Sequence, residues 1–210
     1  MLTVVVDHGL GNLRSVEKAV ETAARADSAP VDVRRSADPE VVARADRLIV
    51  PGQGGFRDCV RALSGGLGQA VMERITSGVP YLGICLGLQI LFEESDEAPG
   101  ERGLGLFEGN VERLVGGGVI KIPHMGWNQL ELMSGGHPLL EAAGGAGAWV
   151  YFVHSYHAAP RDSSLAKATV SHGSNIVTAA VARDNVVAVQ FHPEKSQRAG
   201  LNLLAAFLRR

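Results

Sequence analysis

The stretch "YLGICLGLQILF", residues 81–92, sets a thiol, Cys85, between Gly83 and Gly87. The spacing is G-x-nucleophile-x-G. In that arrangement the reactive residue sits on a strained strand-to-helix turn, and the flanking glycines leave the room that side chains would fill. A helix starting at Leu86 would aim free backbone amides at the sulfur and favour the thiolate. A free cysteine is also commonly a small buried apolar residue, and this motif alone leaves both readings open. Cys59, in "FRDCVRAL" on a helical pattern without flanking glycines, reads as core.

A thiolate needs a partner that moves protons. Seven histidines compete for that role, and His192 in "VVAVQFHPEKS" follows a β-run and precedes Glu194 by two residues. Residues i and i+2 of an extended segment point to one side, so Glu194 can reach the imidazole and fix its tautomer. Nucleophile, base and orienter are then Cys85, His192 and Glu194. His154, in "YFVHSYHAA", ends a strand without a carboxylate at that spacing and reads as a structural or substrate-loop residue. His137, His157 and His172 read as ordinary loop residues. In "IVPGQGGF" a strand runs into a glycine-rich loop whose amides, around Gly52 and Gly54, could form an oxyanion hole with the amide of Leu86. Without Cys85 that loop would be a plain turn.

The elements that must carry these residues alternate through the first half. Strands are expected at 3–6, 31–33, 47–50 and 81–84, and helices at 13–26, 67–76 and 86–92, which is the pattern of a parallel α/β sheet. After Gly109 the segments turn β-rich, at 111–114, 128–132, 149–153, 166–170, 175–182 and 186–191, and suggest an antiparallel extension that returns to the sheet. A closing helix over 199–208 carries Leu201, Leu204, Ala205 and Leu208 at helical spacing to cover one face. No linker or repeat divides the chain, which predicts one α/β domain over 1–210; "LVGGGV" and "EAAGGAGA" read as exposed turns.

Composition narrows the function class. The chain has 210 residues, a formal net charge of -2 and 46% hydrophobic residues, enough for a sizeable core. No basic run marks a nucleic-acid or anionic-membrane surface. Two cysteines make neither a disulfide framework nor a zinc site, so a reducing cytoplasm is expected. The N-terminal apolar run is short and lacks a basic flank, so it reads as a strand and not a signal peptide, and no apolar run approaches the ~18 residues of a membrane span.

Taken together, "PGQGGF", "GICLGLQ" and "QFHPEKS" resemble the class I (triad) glutamine amidotransferases. "DHGLGNLRSV", "KIPHMGWNQL" and "YFVHSY" are similar to the glutaminase subunits of imidazole glycerol phosphate synthase in histidine biosynthesis, and the resemblance covers essentially the whole chain. It implies a flavodoxin-like amidotransferase fold, no metal and no cofactor. It implies that Cys85 attacks the carboxamide of glutamine, that His192 moves the protons, and that Gly52, Gly54 and Leu86 hold the oxyanion. Gln89 and Glu97, with the backbone near Ser155 and Tyr156, would bind the amino-acid end of the substrate. The implied partner is a (β/α)8 cyclase subunit that receives the ammonia, with Asn12, His124, Met125, Trp127, Tyr151 and Lys195 at or near the heterodimer interface.

This chain departs from the family pattern at Gln53, where an apolar residue is common, at Gly55 for Ala, at Leu88 for Met and at His8 for Tyr. Gln53 bears on how the oxyanion loop is shaped. Three alternatives are another amidotransferase, serving anthranilate or vitamin B6 synthesis, a non-catalytic scaffold of the same fold, and a cysteine peptidase using the same elbow.

Overall fold

A computed structural model describes residues 1–26, 31–117 and 120–210. Part of the turn expected in "LVGGGV", Gly118 and Val119, lies outside the described residues. The first half runs β1 (Leu2–Val6), α1 (Leu13–Ala26), β2 (Asp32–Ser36), α2 (Pro39–Val42), β3 (Arg47–Gly52), α3 (Phe56–Ala62), α4 (Gly66–Thr76), β4 (Tyr81–Cys85) and α5 (Leu86–Gln89). The second half runs β5 (Phe92–Ser95), β6 (Phe107–Arg113), β7 (His124–Gln129), β8 (Glu131–Leu132), α6 (Pro138–Ala142) and β9 (Trp149–His154). It closes with β10 (Tyr156–Pro160), β11 (Ala166–His172), β12 (Asn175–Arg183), β13 (Val186–Val189) and α7 (Gln197–Leu208).

The main sheet has the order β2-β1-β3-β4-β13-β12-β11-β8. Its first five strands are parallel, in the order of a flavodoxin-like doubly wound sheet. Strands β12, β11 and β8 continue it antiparallel, which is the extension expected from the β-rich second half. Two smaller sheets, β10-β6-β5 and β7-β9, flank it.

Alternation along each central strand feeds two cores, because neighbouring side chains point to opposite sheet faces. Val5, Ile49, Leu82, Val187 and Val189 pack with Val16 and Val20 of α1 and with Leu203, Leu204 and Phe207 of α7. Val4, Val6, Leu48, Val50 and Ala188 pack with Phe56 and Cys59 of α3 and with Leu67, Val71 and Ile75 of α4. The closing helix covers one sheet face as expected, but its buried stripe is Leu203, Leu204, Phe207 and Leu208, with Leu201 and Ala205 only partly buried at its edge.

One element differs in kind. The helix expected over 86–92 ends at Gln89, and Phe92 opens a strand instead. The reason is tertiary: the Leu104 amide donates to the Ile90 carbonyl at 2.6 Å and the Phe107 amide to the Leu91 carbonyl at 3.0 Å. A run of Ile90, Leu91 and Phe92 suits either structure, and pairing with β6 decides.

Candidate active site

Cys85 is the last residue of β4 and the N-cap of α5, with φ 54° and ψ −105°. A side chain at such a positive φ is strained. The turn can be this tight because a Cβ on Gly83 would run into the Gly87 carbonyl, and one on Gly87 into the Val50 carbonyl. Tyr81, fully buried at the start of β4, donates its hydroxyl to the Gly87 carbonyl at 2.7 Å and ties the two ends of the elbow together.

His192 follows the carboxyl end of β13, so the sheet order places it beside the end of β4. Its Nδ1 and Glu194 Oε1 lie 2.8 Å apart, with both side chains about 1% exposed. The pairing expected from the sequence forms, but by a different geometry. Glu194 sits in a 3-10 turn, Pro193–Lys195, and not in an extended segment, so the turn after Pro193 swings the carboxylate back to the ring. The main chain is held on β9: the His192 amide donates to the Tyr151 carbonyl at 2.9 Å, and the Ser196 hydroxyl donates to the His192 carbonyl at 2.7 Å.

Burial opposes a charge on His192. The charge of Cys85 and a hydrogen bond to it, then the hydrogen bond and charge of Glu194, outweigh that burial and push the imidazolium up to about 10. His192 Nε2 is buried and, apart from this approach to the Cys85 sulfur, has no hydrogen-bond partner among the described residues, which leaves it free to exchange a proton on the Cys85 side. Cys59 is the contrast, with burial and then the charge of Cys85 pushing its thiol up to about 12. A thiol held neutral in that way is inert.

The elbow opens on a cavity of about 360 Å³. Its walls include Gln53, Gly54, Cys85, Leu86, Gln89, Glu97, Ser155, Tyr156 and Lys195. Gly52 is not among the lining residues; as the last residue of β3, it would put a Cβ 2.7 Å from Leu86 Cβ, so it serves the packing of the loop against the elbow. The amide of Leu86, first residue of α5, has no acceptor within its own helix and is free for a ligand oxygen. Glu97 accepts from the Phe56 amide at 2.8 Å, which fixes its carboxylate at the cavity edge. His8, one of the four departures from the family pattern, sets Nε2 2.5 Å from the Pro51 carbonyl and so braces the strand end from which the glycine loop leaves. Gln53 packs its Cβ against Gly11, where a glycine Cβ would stand 3.0 Å away.

Among the residues expected near an interface, Met125 and Trp127 are 62% and 42% exposed. They stand on one face of the β7–β9 ribbon, where register pairs Met125 with Val153 and Trp127 with Tyr151. Lys195 lies over the Tyr151 ring at 5.7 Å. Asn12 is exposed beside Gly11. His124 is a correction: it points to the opposite face of β7, is buried, and stacks on Phe152 and His172 with ring centroids 4.7 and 4.2 Å away. Strand alternation puts neighbours of Met125 inside.

Two residues, Trp149 and Gln190, are not singled out by the sequence. Trp149, 55% exposed, pairs in register with Gln129 and extends the apolar face; at the first position of a β-rich segment, nothing local in the sequence says which face it takes. His154, which the sequence gives as a structural or substrate-loop histidine, lines the cavity and is held by His124 at 3.0 Å and the Tyr156 carbonyl at 3.0 Å. Gln190 lies within the "QFHPE" motif but was read only as part of the strand leading to His192.

The sequence matches the family described as Glutamine amidotransferase class-I over residues 4–210. It is 46% identical over 212 residues to the imidazole glycerol phosphate synthase subunit HisH of Syntrophotalea carbinolica, covering 98% of each chain. It is 48% identical over 211 residues to the same subunit of Methylococcus capsulatus, covering 98% of this chain and 94% of that one. The fold is shared with PurLQS from Thermotoga maritima, with a TM-score of 0.72 at 18% identity over 99% of this chain and 97% of that one. It is also shared with a structure described as a glutamine amidotransferase, with a TM-score of 0.70 at 20% identity over 96% and 98%.

Proposed function

The chain belongs to the class I glutamine amidotransferases and, within them, to the HisH subunits of imidazole glycerol phosphate synthase, and from that membership and the site we infer a glutaminase that supplies ammonia for histidine biosynthesis. The observation that carries the reading is the junction of a strained cysteine with a buried His192–Glu194 pair at the mouth of one cavity.

The Cys85 sulfur attacks the side-chain carbonyl carbon of glutamine, and the carbonyl electrons move to an oxygen facing the amides of Leu86 and the Gly52–Gly54 loop. Collapse of that adduct breaks the C–N bond. The imidazolium of His192 gives its proton to the leaving nitrogen, so ammonia departs and a thioester remains. His192 then takes a proton from water, the oxygen attacks the thioester, and glutamate leaves as the thiolate is restored. Glu194 holds the Nδ1 proton in place throughout. The substrate ammonium is placed against Glu97 and the Gln89 carbonyl. No cofactor or metal enters these steps.

The partner that fits is a (β/α)8 cyclase subunit. Val153 of β9, Pro123 just before β7 and Lys195, which lies over the Tyr151 ring, all line the cavity, so a subunit covering the apolar ribbon closes the cavity against water and takes the ammonia directly. The free thiols of Cys59 and Cys85 suit a reducing cytoplasm, and among the described residues no helix is long and apolar enough to cross a membrane.

The test is to measure glutamine hydrolysis by the chain alone and with the cyclase and its nucleotide substrate. Hydrolysis should be weak alone and rise in the complex. Cys85→Ala should abolish glutamine-dependent synthesis while sparing synthesis from added ammonium salt. Survival of the glutamine-dependent rate in Cys85→Ala would remove Cys85 as the nucleophile.

A further inference from the structure

Gln190 directly follows β13 and is fully buried. Its amide hydrogen is spent on the Ala179 carbonyl at 2.8 Å, which leaves the side chain free for another task. That side chain bridges two parts of the site. Its Oε1 is 3.1 Å from Gln89 Nε2, and its Nε2 is 3.5 Å from the Cys85 sulfur.

Chemistry fixes which end of each carboxamide is which. The Gln89 end at 2.9 Å from the Tyr156 carbonyl must be the NH2, because a carbonyl only accepts. Its second hydrogen then needs an acceptor, so the Gln190 end that meets it is oxygen. The other end of Gln190, facing sulfur, is therefore the donor. The Tyr156 carbonyl at the head of this chain also lies 3.0 Å from His154 Nδ1, where it accepts a second hydrogen and is held in place.

Two consequences follow for the cavity. Both hydrogens of Gln89 are consumed inside the protein, so the group it has left to offer the cavity it lines is Oε1, an acceptor suited to an ammonium. The N–H of Gln190 interacts more strongly with an anionic sulfur than with a thiol. Resting on the glutaminase reading above, we propose that Gln190 is a positioning residue, which holds Gln89 with its oxygen toward the substrate and donates a hydrogen bond to the Cys85 sulfur. One buried side chain thereby links substrate binding to the nucleophile.

The experiment uses the full chain in complex with its cyclase and compares Gln190→Met, of similar length without polar atoms, with Gln190→Glu. With both hydrogen bonds gone, Gln190→Met should raise the KM for glutamine about tenfold and lower kcat about tenfold. Gln190→Glu keeps an acceptor for Gln89, so its KM should stay within about twofold of wild type. Its kcat should fall, and the ratio of wild-type to variant kcat should grow from about pH 6 to about pH 9 as the carboxyl loses the proton that stands in for the amide hydrogen.

A residue that only fills space would leave Gln190→Met near wild type and the Gln190→Glu ratio flat with pH. Either result overturns the proposal. Should Gln190→Met fail to assemble with the cyclase, the pH dependence of Gln190→Glu decides alone. Cys85→Ala in the same complex separates the two levels: glutamine turnover in that variant would sink the glutaminase reading itself. A silent Cys85→Ala with an unaffected Gln190→Met would sink only the role of Gln190.

Discussion

At the scale of single residues the site is organised around one unfavourable backbone conformation. Cys85 is a non-glycine residue at φ 54°, and a side chain forced into such a region costs about 1–3 kcal/mol. The cost is enforced from both sides, by the close approach at Gly83 and Gly87 and by the Tyr81 hydroxyl. Alanine keeps the Cβ that makes the conformation unfavourable, and glycine removes it. Cys85→Gly should therefore melt above Cys85→Ala, by about 1 kcal/mol after allowing for the extra freedom glycine gains in the unfolded chain. Both should be dead as glutaminases. Equal melting in thermal denaturation would mean that the elbow stores no strain at this residue. The motif G-x-C-x-G reports the sterics of the turn directly but leaves core packing and catalysis both open for Cys85; the distant "QFHPEKS" and "PGQGGF" are what favour the nucleophile. Gln190 was invisible by comparison, since its role depends on two side chains distant in sequence.

At the scale of elements, the strands of the parallel sheet were legible because apolar runs bounded by Gly and Pro have few other uses. The length of α5 was not. Ile90, Leu91 and Phe92 are apolar in either structure, and the carbonyls that end the helix are claimed by residues beyond Gly103. The consequence is chemical: a four-residue helix has little macrodipole to offer the sulfur, so near donors such as the Gln190 amide count for more. The β7–β9 ribbon carries its own titration. Burial, and then the charge of His172, hold His124 down at about 4; burial, and then His124, hold His154 down at about 3. Both lie below the 6.5 of an unperturbed imidazole, so the unfolded chain binds these protons more tightly. The stability they contribute is complete above about pH 6.5 and is lost as pH falls through about 4 and 3. The melting temperature should drop over that window, and His124→Phe, which keeps a ring against Phe152, should make the drop shallower even if it starts from a lower value. A variant whose acid limb is as steep as wild type would place the acid sensitivity elsewhere.

At the scale of the whole molecule, the residues at issue are those that folding leaves unburied. Met125, Trp127 and Trp149 expose their apolar surface on one face of the ribbon, where Trp127 meets Tyr151 edge to face at 5.8 Å. Their inward neighbours His124, Val150 and Phe152 are buried, with Gly126 and Asn128 half-buried, so the ribbon alternates and the outer face is apolar for a reason other than the core. Large aromatic side chains at the centre of a contact carry a disproportionate share of binding energy. The same face borders the cavity through Val153 and Lys195, so on the proposed reading a cyclase that covers it both joins two subunits and closes the site. Trp127→Ala should weaken association with the cyclase by about 2 kcal/mol, roughly 30-fold in Kd. Glutamine hydrolysis measured at low subunit concentration should fall with it and recover when the cyclase is added in excess. Glu73→Ala, on the exposed side of α4 away from the cavity, should leave Kd within about twofold. Titration by calorimetry reads both, and a Trp127→Ala complex as tight as wild type would mean that the partner docks on another face.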